Sequence, residues 1–159
     1  MKSTKMSTLL TALLIGSGAI FTSAWAATAV HDHGHAAAAK PLPSGQRWAT
    51  DAPLREGMTT MRGALESRLE AIHGDKLGSD QYKALAQITE KQIAHIVANC
   101  KLSPDADAAL HGVIAKMGEG AEAMSGKSKV KPREGAVLLA EALDEYGRLF
   151  DHPGWKPLH

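Results

Sequence analysis

The sequence predicts an all-α protein: an antiparallel up-down-up-down four-helix bundle behind a disordered N-terminal tail. Three observations carry this. Apolar residues recur at spacings of three and four in four separate segments, as one buried face of a helix requires. A start signal heads each segment: Thr50-Asp51 before Pro53, Ser79, Ser103-Pro104-Asp105 and Pro132. No stretch alternates as a half-buried strand would, and short connections favour antiparallel neighbours.

The first helix starts near Thr50 or Asp51. Its stripe is Leu54, Met58, Met61, Leu65, Leu69 and Ile72, and Gly74 and Gly78 bracket the turn that follows. Ser79 is the expected cap of the second helix, whose face carries Tyr82, Leu85, Ile93, Ile96 and Cys100 together with the polar Thr89, Gln92 and Asn99. The third begins at Ser103-Pro104 and carries Leu110, Val113, Ile114, Met117, Ala121 and Met124; Gly118 and Gly120 weaken its second half. The fourth opens at Pro132 and presents Val137, Leu138, Ala140, Leu143, Tyr146, Leu149 and Phe150. Pro153 stops it, because proline disfavours helix at the residue before it and cannot continue one.

Upstream of these helices, Lys2 and Lys5 precede a mainly apolar run from Leu9 to Phe21, and Ala24-Trp25-Ala26 supplies small residues at the −3 and −1 positions. That order predicts a cleavable secretory signal over residues 1–26 and a periplasmic protein. The run falls short of the roughly 20 residues a membrane span needs, so stable membrane insertion is not expected. Residues 27–47 read as the tail, and residues 48–159 as the folded domain, long enough for one core. Of 18 basic side chains, removal of Lys2 and Lys5 leaves 16 against 17 acidic ones, a net charge of −1. Such a balance gives no electrostatic footprint for nucleic acid.

Cys100 is the single cysteine, so no intrachain disulfide is available. In an antiparallel pair, residues equidistant from the connecting turn lie at one level. Counting outward from the turns places Met58, His95, His111 and Glu145 in one layer, with Cys100 and His152 nearer the bundle end. Imidazole suits Zn and Cu, and thiolate or thioether favours Cu(I). His95, His111, Met58, Cys100 and Glu145 are therefore the candidate metal set. The same histidines also suit a boundary role with ordinary hydrogen bonds, and the methionines suit core filling. A second candidate is His31-Asp32-His33-Gly34-His35, where His31, His33 and His35 alternate on the tail in a pattern that captures Cu(II) or Zn(II).

The run Leu54-Arg55-Glu56-Gly57-Met58-Thr59-Thr60-Met61 resembles the opening of the periplasmic b-type four-helix cytochromes. That resemblance implies non-covalent haem b held by Met58 and His152. Arg148-Leu149-Phe150-Asp151-His152 is similar in position to the CxxCH end of the cytochromes c-prime, but both cysteines are missing, so covalent haem c is excluded. The blocks Trp48–Arg55, Ile96–Leu102 and Phe150–Trp155 look more like those of small exported proteobacterial four-helix-bundle proteins, which implies export and a helical fold and no particular activity.

No nucleophile with a base and an orienting partner can be picked out, so an enzyme is not expected. The functional expectation is a non-catalytic bundle that binds copper or zinc for buffering, sensing or resistance. The alternatives are a haem-b electron carrier and a cofactor-free bundle that pairs with itself or with a periplasmic protein.

Overall fold

The structure is a computed structural model and describes residues 42–158. The signal segment expected over residues 1–26 and the tail histidines His31, His33 and His35 lie outside the described residues. The described chain is mostly helical, as expected for an all-α protein. In order it comprises β1 (Trp48–Ala49), α1 (Ala52–Glu66), α2 (Leu69–His73), α3 (Ser79–Asn99), α4 (Pro104–Met124), α5 (Pro132–Leu149) and β2 (Phe150–Asp151).

Asp51 caps α1: its extended backbone lets one carboxylate oxygen accept from the Leu54 amide at 3.1 Å, and Pro53 sits in the first turn. The predicted stripe is buried at Leu54, Met58, Met61, Leu65 and Ile72. The helix is not continuous, however. It ends at Glu66 and resumes at Leu69, because Ser67 Oγ and Arg68 Nη1 both donate to the Ala64 carbonyl and draw it out of the ladder.

The cap of α3 is Gly78 rather than Ser79. The Gly78 amide donates to Oε1 of Gln81 at 3.1 Å, so the closing bond comes from the third helical residue, and Ser79 is already inside the helix. On α3, Tyr82, Leu85, Ala86, Thr89 and Ile96 are buried. Buried Thr89 satisfies its hydroxyl by donating to the Leu85 carbonyl at 3.0 Å.

Ser103 caps α4 as expected, accepting from the Ala106 amide at 3.4 Å. The helix runs unbroken past Gly118 and Gly120 to Met124. Gly120 does more than tolerate the helix. A methyl group there would lie 2.7 Å from the Gly135 carbonyl oxygen, and one on Gly135 would lie 2.6 Å from the Gly120 carbonyl oxygen. These two glycines let the backbones of α4 and α5 touch, and α4–α5 is the most extensive helix pairing in the domain.

That approach sets the rotation of α5. Its buried face is Gly135, Ala136, Leu139, Ala140, Ala142, Leu143 and Tyr146, which corrects the expected stripe: Val137 is 42% exposed and Leu139 is fully buried. Smaller contacts join α1 to α3 and to α5, and α3 to α4 and to α5, around one shared apolar core. After Leu149 the chain turns extended at Phe150, and β2 pairs in parallel with β1, Trp48 opposite Phe150 and Ala49 opposite Asp151. Among the described residues, no helix is long and apolar enough to cross a membrane.

Candidate functional site

The residues placed in one layer by counting do not converge. His95 is exposed on α3, and Asn99 one turn later donates Nδ2 to the His95 carbonyl at 2.7 Å and lies 3.3 Å from its Nδ1. His111 is exposed on α4, where Nδ1 lies 2.8 Å from the Asp107 carbonyl oxygen and 3.5 Å from its carboxylate. Because a carbonyl can only accept, that nitrogen carries the proton. Glu145 is paired with Lys116 at 3.4 Å, and Met58 is fully buried among apolar neighbours. Among the described residues, no group of three or more His, Cys, Asp or Glu side chains is arranged to hold a metal ion. Both histidines lie just off the buried stripe of their helices, and the partner of each Nδ1 is one turn away on the same helix.

The polar side chains that do converge lie where the two ends of the described chain meet. Asp51 is the hub. Besides capping α1, its second carboxylate oxygen accepts from the Lys101 amide at 2.6 Å, and the Cys100 thiol donates to it as well. The start of α1 is thereby tied to the α3–α4 turn. Burial on its own raises the Asp51 carboxyl, but the amides of Lys101 and Leu54 and the Cys100 thiol outweigh it and hold the pKa below the usual carboxylate value.

Cys100 experiences the reverse. Burial first, then the charge of Asp51 and the bond to it, push its thiol up to about 12. The thiolate is both the nucleophile and the metal ligand, so this cysteine is chemically quiet. Iodoacetamide is expected to alkylate Cys100 in the folded protein at pH 8 roughly tenfold or more slowly than in the urea-unfolded chain, and Asp51→Asn is expected to narrow that gap. Equal rates in the two states would show that the thiol is not held protonated.

Next to this hub, buried Tyr146 places its hydroxyl 2.9 Å from Nδ1 of His152. Burial, followed by the nearby Arg55 charge, lowers the His152 pKa, and burial raises that of Tyr146, so the pair is neutral at pH 7. Arg55 is itself anchored: Nη1 donates to the Thr50 carbonyl at 2.7 Å, and Thr50 Oγ1 donates onward to the Asp151 carbonyl at 2.7 Å. Trp155 closes the end by packing edge-on against Tyr146, ring centroids 4.9 Å apart, in space that Gly147 leaves open.

His152 also lines an open groove of about 410 Å³ with Arg55, Glu56, Thr59 and Thr60. Met58 is not part of that groove, so the two residues expected to hold haem face different surroundings. Asp51 was visible in the sequence only as a cap. Its reach to Lys101 spans 50 positions and carried no local signal, and the pairing of Tyr146 with His152 depends on the extended turn at Phe150. No family model, curated protein or solved structure matches the chain.

Proposed function

We propose that the protein is a non-catalytic, antiparallel four-helix bundle of the periplasm whose capture of copper or zinc rests on His31, His33 and His35 and not on the helices. The observation that supports this reading is that, among the described residues, no group of three or more His, Cys, Asp or Glu side chains is arranged to hold a metal ion: His95 and His111 are exposed on their own helices, Cys100 is bonded to Asp51, Glu145 is paired with Lys116 and Met58 is buried in the core. The alternation of three histidines within five residues supplies closely spaced imidazoles in a pattern suited to Cu(II) or Zn(II). The charged, apolar and small-residue order of residues 1–26 supports the periplasmic address. The antiparallel arrangement is supported by short connections between consecutive helices that pack on one another.

Titration of the purified protein with Zn(II), and separately with Cu(II), tests the reading. Replacing His31, His33 and His35 together by alanine is expected to abolish binding, and replacing His95 and His111 together is expected to leave it unchanged. The opposite pattern would return the site to the helices. The haem alternative would require Met58 to leave the core, where it is fully buried. Haemin added to the same protein is accordingly expected to produce no Soret shift.

A further inference from the structure

A second cavity, of about 560 Å³, lies at the far ends of α3 and α5 from the Asp51 hub. Its wall includes Asp75 and Leu77 from the turn before α3, Tyr82 from α3, and Lys131, Arg133 and Glu134 around the start of α5. Nothing in the proposed function uses these residues.

Two helix N-termini meet here, and neither has a side-chain cap. Gly78 before α3 has no side chain to offer, and Lys131 before α5 makes no capping bond, whereas Asp51 and Ser103 cap α1 and α4. The first amides of a helix have no acceptor within it, and the aligned peptide dipoles place roughly half a positive charge at each such end. Arg133 is fixed through Nε, which donates to the Ile72 carbonyl at 3.2 Å, a bond that does not use its two terminal nitrogens.

Tyr82 supplies the independent observation. It is 5% exposed, and its buried hydroxyl has no hydrogen-bond partner in the structure. A buried hydroxyl without a protein partner is costly, and in native proteins an ordered water, an ion or a ligand ordinarily completes it. Burial, followed by the Asp75 charge, raises the Tyr82 pKa against an opposing effect of Arg133, so the hydroxyl keeps its proton and offers a donor.

We propose that this cavity binds a phosphate group, with the Tyr82 hydroxyl, Arg133, Lys131 and the first-turn amides of α3 and α5 as its donors. Helix N-termini bind anions through exposed amides and the dipole together, and arginine matches phosphate oxygens in pairs. Asp75 and Glu134 oppose a doubly charged anion, so the site has modest affinity and discriminates by geometry. The cavity is larger than one phosphate needs. Leu77, Pro132 and the Tyr82 ring provide apolar wall for an attached organic moiety.

Two phosphate sources are separable by titrating the full chain, isotope-labelled and at constant ionic strength, with inorganic phosphate and separately with glycerol 3-phosphate, following amide resonances. Both probes are expected to shift the amides of Ser79, Asp80, Arg133 and Glu134. Tighter binding of the ester assigns a phosphorylated small molecule, and equal binding assigns free phosphate. Tyr82→Phe is expected to weaken binding at least fivefold with an unchanged circular dichroism spectrum, Arg133→Gln at least tenfold, and Asp75→Asn to strengthen it about threefold, as removal of one opposing charge in a partly screened site implies. Absence of shifts with either probe, parental affinity in Tyr82→Phe, or weaker binding in Asp75→Asn would overturn the proposal.

Discussion

Gly135→Ala is expected to destabilise the domain by about 3 kcal/mol, even though alanine is the better helix former. The added methyl would meet the Gly120 carbonyl oxygen at 2.6 Å, the Ala123 Cβ at 2.7 Å and the Met124 amide nitrogen at 2.9 Å. Two of the three are backbone atoms, which cannot rotate aside, so α4 and α5 must separate along their length. Thermal unfolding should shift down by roughly 10 °C for a domain of this size. Gly112→Ala is the control of opposite sign. No atom lies within 4 Å of a methyl at that position, so the substitution should add roughly 0.5–1 kcal/mol. If Gly135→Ala melts at or above the parent, the backbones of α4 and α5 do not touch in solution.

Asp51→Ala should cost about 2 kcal/mol, since it removes an N-cap and a bond to the Lys101 amide at once. Cys100 also loses its acceptor. Urea titration of the variant at neutral pH reads this directly, and a loss below about 0.5 kcal/mol, the range of ordinary surface substitutions, would mean that the hub is ornamental. The acid dependence follows from the same carboxylate. Its pKa is lowered in the folded state, so its contribution is present above the ordinary aspartate value near 4 and disappears as pH falls through the folded value. His152, also lowered, adds an earlier loss that begins as pH falls below the ordinary histidine value near 6.5, where the unfolded chain takes up a proton that the folded one resists. Acid unfolding should therefore proceed in two ranges, the upper absent from His152→Gln and the lower absent from Asp51→Ala.

The helices were legible because their information is local. Ser103-Pro104 heads α4, Asp51 caps α1, and the spacing of Leu54, Met58, Met61 and Leu65 marks a single face. The rotation of α5 was not legible. Val137 and Leu138 are more apolar than Ala136, and hydropathy alone favours burying them. The close approach of Gly120 to Gly135 overrides that preference, and a contact between residues 15 positions apart on different helices has no local signature. The arrangement of the candidate metal layer was illegible for a related reason. Counting from turns sets the height of a residue along its helix but not its direction around it, and both His95 and His111 are exposed. The hub at Asp51 was half legible: one carboxylate oxygen serves the adjacent helix and could be read from sequence, and the other serves a distant turn.

The pairing of β1 with β2 also determines how the domain carries load. The two strands run parallel, Trp48 beside Phe150 and Ala49 beside Asp151, and Thr50 adds a hydroxyl bond to the Asp151 carbonyl. Tension applied between the N-terminal side of β1 and the C-terminal side of β2 would draw these parallel neighbours along their own length in opposite directions. The bonds are then sheared together instead of being peeled one after another. A clamp of two residues on each strand, backed by Phe150 and Trp155 packed on Tyr146, places the domain's mechanical resistance at the point where force enters it.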